Sequence, residues 1–182
     1  MALSACTTSG RLRLISWGIS EGGGLYRLAD SGNLAGNVQD FALARYDTNR
    51  VVTAVKNSDG NLQLIAWDVE SENEIERLEG EDDPTFNDPF AGQVQEIAIT
   101  PFNFNYAGWD YVATAVRTEE GNLRVIAWGI DSYGNIKRHG DSENLAGAAS
   151  HLEIGWSQES NRIVTTMKDS DGNLRAIAWT VQ

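Results

Sequence analysis

Apolar and polar residues alternate in short runs along the whole chain. In the run 62–69 both faces are apolar, since leucine and alanine line one side and isoleucine, tryptophan and valine line the other. No stretch sustains the 3.6-residue period of a helix, so the pattern predicts an all-β chain. A strand that is apolar on both sides indicates a sheet packed between two neighbours rather than one with a wet face.

One eight-residue sequence, which runs from a turn glycine to a tryptophan, occurs four times with small variations. The tryptophans, which lie 50, 61 and 51 residues apart, are Trp17, Trp67, Trp128 and Trp179. In three copies a threonine precedes the tryptophan by fourteen residues, at Thr53, Thr114 and Thr165. In three copies an arginine follows it by ten residues, at Arg27, Arg77 and Arg138. A repeat of this period indicates an array of one supersecondary unit.

Each unit contains the signals of four strands, which we label b, c, d and a in chain order. In the second unit they are expected at 51–56, 62–69, 75–78 and 94–100, with a tight turn at Asn57-Ser58-Asp59-Gly60 between the first two. Further a strands are expected at 38–45 and 151–156, and the first b strand at 3–7. The chain therefore reads b-c-d-a three times and then b-c, which makes fourteen strands.

Four-stranded antiparallel units of this length predict a β-propeller, and the number of repeats favours four blades. We expect residues 1–182 to form a single propeller domain of about three and a half repeats. The last unit is incomplete. A closed monomer whose termini meet is the favoured arrangement, and a ring completed by oligomerisation is the alternative.

The recurring tryptophan, arginine and Asn-Gly features resemble those of bacterial tandem-repeat β-propellers. They are also similar to the repeats of propeller lectins from bacteria and fungi, and in size the chain resembles the four-bladed, hemopexin-like propellers. The resemblance implies a ring of near-identical blades that binds carbohydrate at repeated sites between them.

The charge balance narrows the choice of partners. With 14 Lys and Arg against 26 Asp and Glu, the net charge is −12, which argues against binding nucleic acid or an anionic membrane. Cys6 is the only cysteine, so neither an intrachain disulfide nor a cysteine-based metal site is expected. The chain shows no signal peptide and no long apolar run, so we expect a soluble protein and assign no compartment.

Two repeated loops carry the candidate ligand-binding residues. The first holds Arg27, Asp30 and Asn33, and the second holds Arg138, Asp141 and Asn144. A cation, a carboxylate and an amide on one short loop can hydrogen-bond the vicinal hydroxyls of a glycan. The alternative is turn chemistry, in which these side chains satisfy the local backbone and the arginine pairs with the aspartate.

Trp109 and Trp156 lie outside the repeat pattern, and Trp109 is therefore a third candidate for binding a sugar. It belongs to an aromatic insertion at 101–109, and loops carry binding residues more often than strands do. The alternative is that these rings are packed in the core. For the four repeated tryptophans, packing between units is the favoured interpretation.

A second insertion, at 79–89, is acidic and supplies oxygen ligands suited to calcium, but a solvated loop is the favoured interpretation, and we assign no metal site and no cofactor. Only His139 and His151 could act as bases at neutral pH, and no catalytic motif surrounds them. The sequence therefore predicts a non-enzymatic, lectin-like glycan binder. The alternative is a structural or self-assembling scaffold, or a protein-interaction propeller, without a small-molecule ligand.

Overall fold

The computed structural model describes residues 2–8, 10–71, 74–80, 88–103 and 108–181. Within these ranges the chain forms fourteen β-strands and no helix, so none is available to cross a membrane. The strands are β1 Ala2–Thr8, β2 Arg11–Ile19, β3 Leu25–Asp30, β4 Val38–Arg45, β5 Arg50–Asn57, β6 Asn61–Ser71, β7 Glu74–Leu78, β8 Phe90–Phe102, β9 Asp110–Thr118, β10 Leu123–Ile130, β11 Ile136–Asp141, β12 Ser150–Ser157, β13 Arg162–Lys168 and β14 Leu174–Trp179. The expected strands and their order are confirmed.

Every strand pairing is antiparallel, and the pairings repeat along the chain. We call β1–β3 unit 1, β4–β7 unit 2, β8–β11 unit 3 and β12–β14 unit 4. Units 1 and 4 are separate three-stranded sheets. Units 2 and 3 form one eight-stranded sheet, because the start of β8 pairs with β6 before the strand continues along β9. Bridges from Arg11 to Asn37 and from Asn122 to Ala148 mark the same crossing in the other units.

The described strands do not close into a ring. The two edge sheets, β1-β2-β3 and β12-β13-β14, are not hydrogen-bonded to each other. The all-β, antiparallel architecture is therefore established, whereas the propeller form and the number of blades remain predictions.

The tight turn that leads into each tryptophan-bearing strand ends at a glycine with a positive φ, namely Gly10, Gly60, Gly121 and Gly172. In unit 2, the side chain of Asn57 accepts hydrogen bonds from the backbone N–H groups of Asp59 and Asn61, both at 3.0 Å. Gly60 closes the turn with a φ of 84°, a left-handed conformation that glycine adopts without steric cost. The expected turn at 57–60 is thereby confirmed.

The core lies between successive units and repeats the same packing. We call the trailing face of a unit the side chains Leu12 and Leu14 of unit 1, with their equivalents Leu62 and Leu64 in unit 2 and Leu123 and Val125 in unit 3. We call the leading face Ile65, Val69 and Ile75 of unit 2, with their equivalents Ile126, Ile130 and Ile136 in unit 3. The trailing face of unit 1 packs in one buried cluster with the leading face of unit 2, and unit 2 packs in the same way against unit 3. Units 3 and 4 form the third cluster.

A buried hydrogen bond joins the second and third strands of units 2 and 3. The indole Nε1–H of Trp67 donates to Oγ1 of Thr53 at 3.0 Å, and that of Trp128 donates to Thr114 at the same distance. Both tryptophans are fully buried, so Thr53 and Thr114 satisfy indole N–H groups that water does not reach. The prediction that the repeated tryptophans pack between units is confirmed for Trp67 and Trp128, whereas Trp17 and Trp179 are only partly buried.

We expect Thr53→Val to lower the free energy of unfolding by about 1–3 kcal/mol, because the substitution leaves the buried indole N–H of Trp67 unsatisfied. Chemical denaturation measures the change. Thr165→Val is the matched control: its partner Trp179 is only partly buried, with an Nε1 to Oγ1 distance of 2.9 Å, so its N–H can turn to water instead. An equal loss in both variants would contradict this account.

Candidate functional site

In the first predicted loop, Asp30 is held by three donors. Its carboxylate accepts hydrogen bonds from Arg27, from Nε of Arg13 at 3.2 Å and from the backbone N–H of Gly32 at 2.8 Å. The structure therefore brings Arg27 and Asp30 together as an ion pair, with little of the carboxylate left for a ligand. Asn33 is exposed, and its backbone carbonyl oxygen accepts a hydrogen bond from the backbone N–H of Gly36 at 3.4 Å.

The second predicted loop repeats this arrangement around Asp141. Its carboxylate accepts from Nε of Arg124 at 2.8 Å, from Nη1 of Arg138 at 3.3 Å and from the N–H of Glu143 at 2.8 Å. Burial raises the pKa of Asp141, but the hydrogen bonds from Arg124 and Glu143 outweigh it and hold the pKa below its usual value. Asn144 is exposed on the same loop.

Sequence reasoning missed the arginines on β2 and β10, which pair with these aspartates. Arg13 and Arg124 follow the leucine of the repeated sequence, where unit 2 has Gln63. Unit 2 also has no aspartate at the matching loop position. The arginine and the aspartate thus occur together in units 1 and 3 and are both missing from unit 2, and this joint occurrence in the sequence indicates that they pair.

The remaining candidate, Trp109, lines a cavity of about 280 Å³, which we call the turn cavity. The turns after β4 and β8 and the end of β12 surround it. Its wall is formed by Arg45, Tyr46, Asp47, Pro101, Phe102, Asn103, Trp109, Asp110, Tyr111 and Trp156. The two tryptophans outside the repeat pattern are thus brought together, although 47 positions separate them in the chain.

Trp109 is positioned by edge-on contacts between rings. Its ring centroid lies 5.6 Å from that of His139, which lies 5.2 Å from that of Tyr111. Beneath them is Gly129 of β10, where a Cβ would come within 2.8 Å of Nε2 of His139 and 2.9 Å of Cε3 of Trp109. The missing side chain at Gly129 therefore lets both rings lie against the strand. Burial lowers the pKa of His139, so its ring is neutral at neutral pH.

The polar groups of the turn cavity are partly withdrawn from water. Burial raises the pKa of Asp110, and the nearby carboxylate of Asp47 raises it further. Burial also raises the pKa of Tyr46, so its phenol stays protonated. Within the described part of the chain, Oη of Tyr46 and Nε1 of Trp156 are buried without a hydrogen-bond partner, a state that usually costs about 1–3 kcal/mol per group. The cavity wall therefore contains polar groups whose hydrogen bonding is incomplete.

A second cavity, of about 330 Å³, lies between units 3 and 4, and we call it the outer groove. Asp141, Leu145 and Trp179 are among its lining residues. Trp179 is partly exposed there, whereas its unit 2 equivalent, Trp67, is fully buried. The second predicted loop therefore has an accessible aromatic neighbour, Trp179 of the following unit. The first loop does not, because the matching tryptophan of its following unit, Trp67, is buried.

Among the described residues, no three His, Cys, Asp or Glu side chains come close enough together to hold a metal ion. The acidic insertion considered for calcium lies largely at 81–87, outside the described residues.

Comparisons with known proteins reveal a shared fold. No protein-family model matches the sequence, and no curated protein does. The NanB sialidase from Streptococcus pneumoniae aligns over 99% of this chain with a TM-score of 0.59 and 12% identity, and 28% of its own chain is covered. The SapL1 lectin, in complex with alpha methyl fucoside, aligns over 99% with a TM-score of 0.55 and 12% identity, and 59% of its chain is covered. The chain thus spans less than two thirds of each structure, and the likeness is one of all-β fold.

Asp110 and Asp141 predict opposite effects of pH on stability. Asp110 has a raised pKa, so its ionisation weakens the fold as pH rises through that value, and Asp110→Asn should raise the melting temperature at pH 7. Asp141 has a lowered pKa, so it stabilises the fold above the unfolded pKa of about 3.9, and Asp141→Asn should lower the melting temperature at pH 7.

The Asp110 difference should shrink as the pH falls from the raised folded pKa of Asp110 to the unfolded value of about 3.9. The Asp141 difference should begin to shrink only below about 3.9, as the pH falls through the lowered folded pKa of Asp141. Thermal melts of the parent chain and the two variants at several pH values measure them. Two shifts of the same sign at pH 7 would contradict the assignment.

Proposed function

We propose that this chain is a carbohydrate-binding module without catalytic activity, and that the turn cavity is its main sugar site. The observation that carries the proposal is the meeting of Trp109 and Trp156, the two tryptophans outside the repeat, with the carboxylates of Asp47 and Asp110 around one cavity. A scaffold that served only to build repeats would have no need of these additional rings.

The chemistry of the cavity wall suits a sugar ring. The C–H face of a pyranose packs on an aromatic ring such as that of Trp109, while its hydroxyls donate to carboxylates and accept from arginine. The volume of about 280 Å³ is near the lower end of ligand pockets, about 300 Å³, and corresponds to a small ligand. The incomplete hydrogen bonding of Tyr46 and Trp156 adds a gain for a ligand whose hydroxyls reach them after a small shift.

The local charge favours neutral sugars over acidic ones. Asp47 and Asp110 both line the cavity, and among the described residues of its wall Arg45 is the one arginine or lysine. The net charge of −12 adds a general repulsion of anions. The SapL1 lectin supports this choice by analogy of fold, because it is in complex with a neutral monosaccharide derivative.

The repeated loops form a secondary part of the proposal. The loop of Arg138, Asp141 and Asn144 would bind a second sugar at the outer groove, where Asp141 and the partly exposed Trp179 are among the lining residues. Arg27, Asp30 and Asn33 would form the weaker equivalent, since Trp67 is buried. In both loops the aspartate orients the arginine, and the guanidinium and the amide are the groups that would contact the ligand.

We expect Trp109→Ala to weaken glycan binding at least about tenfold, because a stacked aromatic anchor commonly contributes about 2 kcal/mol or more. A glycan array first identifies the sugar, and titration calorimetry then measures the affinity. Tyr133→Ala is the matched control, since Tyr133 is 74% exposed on the turn after β10 and does not line the cavity. Equal losses in both variants, or no glycan bound at all, would contradict the proposal and favour the scaffold.

The absence of catalysis is tested separately, because the matched structures include a sialidase. We expect no release of fluorophore when the chain is incubated with a panel of fluorogenic glycosides. Asp110 is the residue to examine, because a carboxyl group with a raised pKa in a cavity is what a general acid requires. Hydrolysis of any glycoside that is lost in Asp110→Asn would contradict the proposal and show that the chain is an enzyme.

A further inference from the structure

The two edge units expose apolar faces that the inner units bury. On the leading face, Leu25 is 67% exposed and Ile19 is 59% exposed in unit 1. Their equivalents, Ile75 and Val69 in unit 2 and Ile136 and Ile130 in unit 3, are all buried. The leading face of unit 1 is therefore built like the others but has no described neighbour packed on it.

The trailing face of unit 4 shows the reciprocal exposure. Leu174 is 84% exposed, whereas its equivalents Leu12, Leu62 and Leu123 have no exposed surface. Ala176 and Ala178, which follow on the same side of β14, are exposed as well. Within the described part of the chain, β14 is also a sheet edge with β13 as its only hydrogen-bonded neighbour.

These two faces are complementary because the chain already packs their equivalents together. At the boundary of units 1 and 2, Leu12 and Leu14 contribute the trailing face, and Val69 and Ile75 belong to the leading face in the same buried cluster. The boundary of units 2 and 3 repeats this with Leu62, Leu64, Ile130 and Ile136. The sequence thus contains two examples of the interface that the exposed faces would form.

We propose that the trailing face of unit 4 in one copy of this chain packs against the leading face of unit 1 in a second copy. The contact is heterologous, since Leu174 of one copy meets the Leu25 surface of the next and each copy keeps one face open. Repeated contacts of this kind close into a ring or extend as a filament, depending on the rotation between copies. The assembly does not depend on sugar binding, and the turn cavity lies at the turns of units 2 to 4.

The observed exposure favours a second copy of this chain over an unrelated protein. An unrelated partner would need a surface shaped for the face of Leu174, Ala176 and Ala178. Unit 1 already has such a surface, whose Leu25 and Ile19 match Ile75 and Val69 in sequence. Contiguous apolar surfaces of this kind commonly mark interaction sites. The edge of β14 adds unpaired backbone groups, which a strand of a second copy can satisfy.

The test uses the full chain and two charged variants, Leu25→Glu and Leu174→Glu, with Tyr133→Glu as the control. Native mass spectrometry and light scattering at micromolar concentrations measure the assembly. The parent chain and Tyr133→Glu should form dimers or larger assemblies. Each of the other two variants should be monomeric, with a dissociation constant raised at least about tenfold. A 1:1 mixture of the two variants should form a heterodimer and nothing larger, because each partner keeps one intact face.

Three results would overturn the proposal. The first is a monomeric parent chain, which would agree with closure within one chain. The second is assembly that survives in both the Leu25→Glu and the Leu174→Glu variant. The third is assembly that is lost in only one of these variants, which would indicate an isologous contact. Because both leucines are exposed, each variant should keep the circular dichroism spectrum and melting behaviour of the unassociated chain. If Leu25→Glu does not, Ile19→Glu on the same face replaces it, and the same outcomes apply.

Discussion

The structure depends on a strand that is buried on both of its faces. In units 2 and 3 this is the tryptophan-bearing strand, β6 or β10. One of its faces packs Leu62 and Leu64, or Leu123 and Val125, against the following unit. Its other face packs isoleucine and tryptophan against the preceding unit. A polar group on such a strand is costly unless it has a hydrogen-bond partner, and the indole N–H of Trp67 or Trp128 is a group of this kind. The threonine fourteen residues earlier resolves this by placing its hydroxyl 3.0 Å from the indole nitrogen. The repeated spacing of fourteen residues between threonine and tryptophan follows from this requirement, while the repeated glycine follows from the positive φ of the turn between them.

The fold was predictable from the sequence wherever it depends on neighbouring residues alone. The strands, their order and the tight turn at 57–60 were all present as local signals, because alternation and turn chemistry act over a few residues. The pairing of the start of β8 with β6 was not, since it depends on the path of the chain after β7. Closure into a ring was expected from the repeat count, but it is a property of the angles between units, which no local sequence pattern specifies.

The candidate site was predictable only in part, for a related physical reason. Trp109 was identified because it breaks the repeat, but Tyr46, Asp47 and Trp156 reach the same cavity from other units, and the sequence carries no sign of that meeting. The structure shows the pairing of arginine with aspartate that was the alternative interpretation of the two loops, and the partners of these aspartates also include Arg13 and Arg124 on neighbouring strands. A cross-strand ion pair depends on register, which follows from the positions of the turns.

A structure of the chain bound to the best glycan from the array would test the central claim most directly. The account predicts a sugar ring stacked on Trp109 in the turn cavity, with its hydroxyls contacting Asp47, Asp110 or Arg45. A sugar found only at the outer groove beside Trp179 would contradict the choice of site. A sugar that contacts neither cavity would contradict the whole functional account.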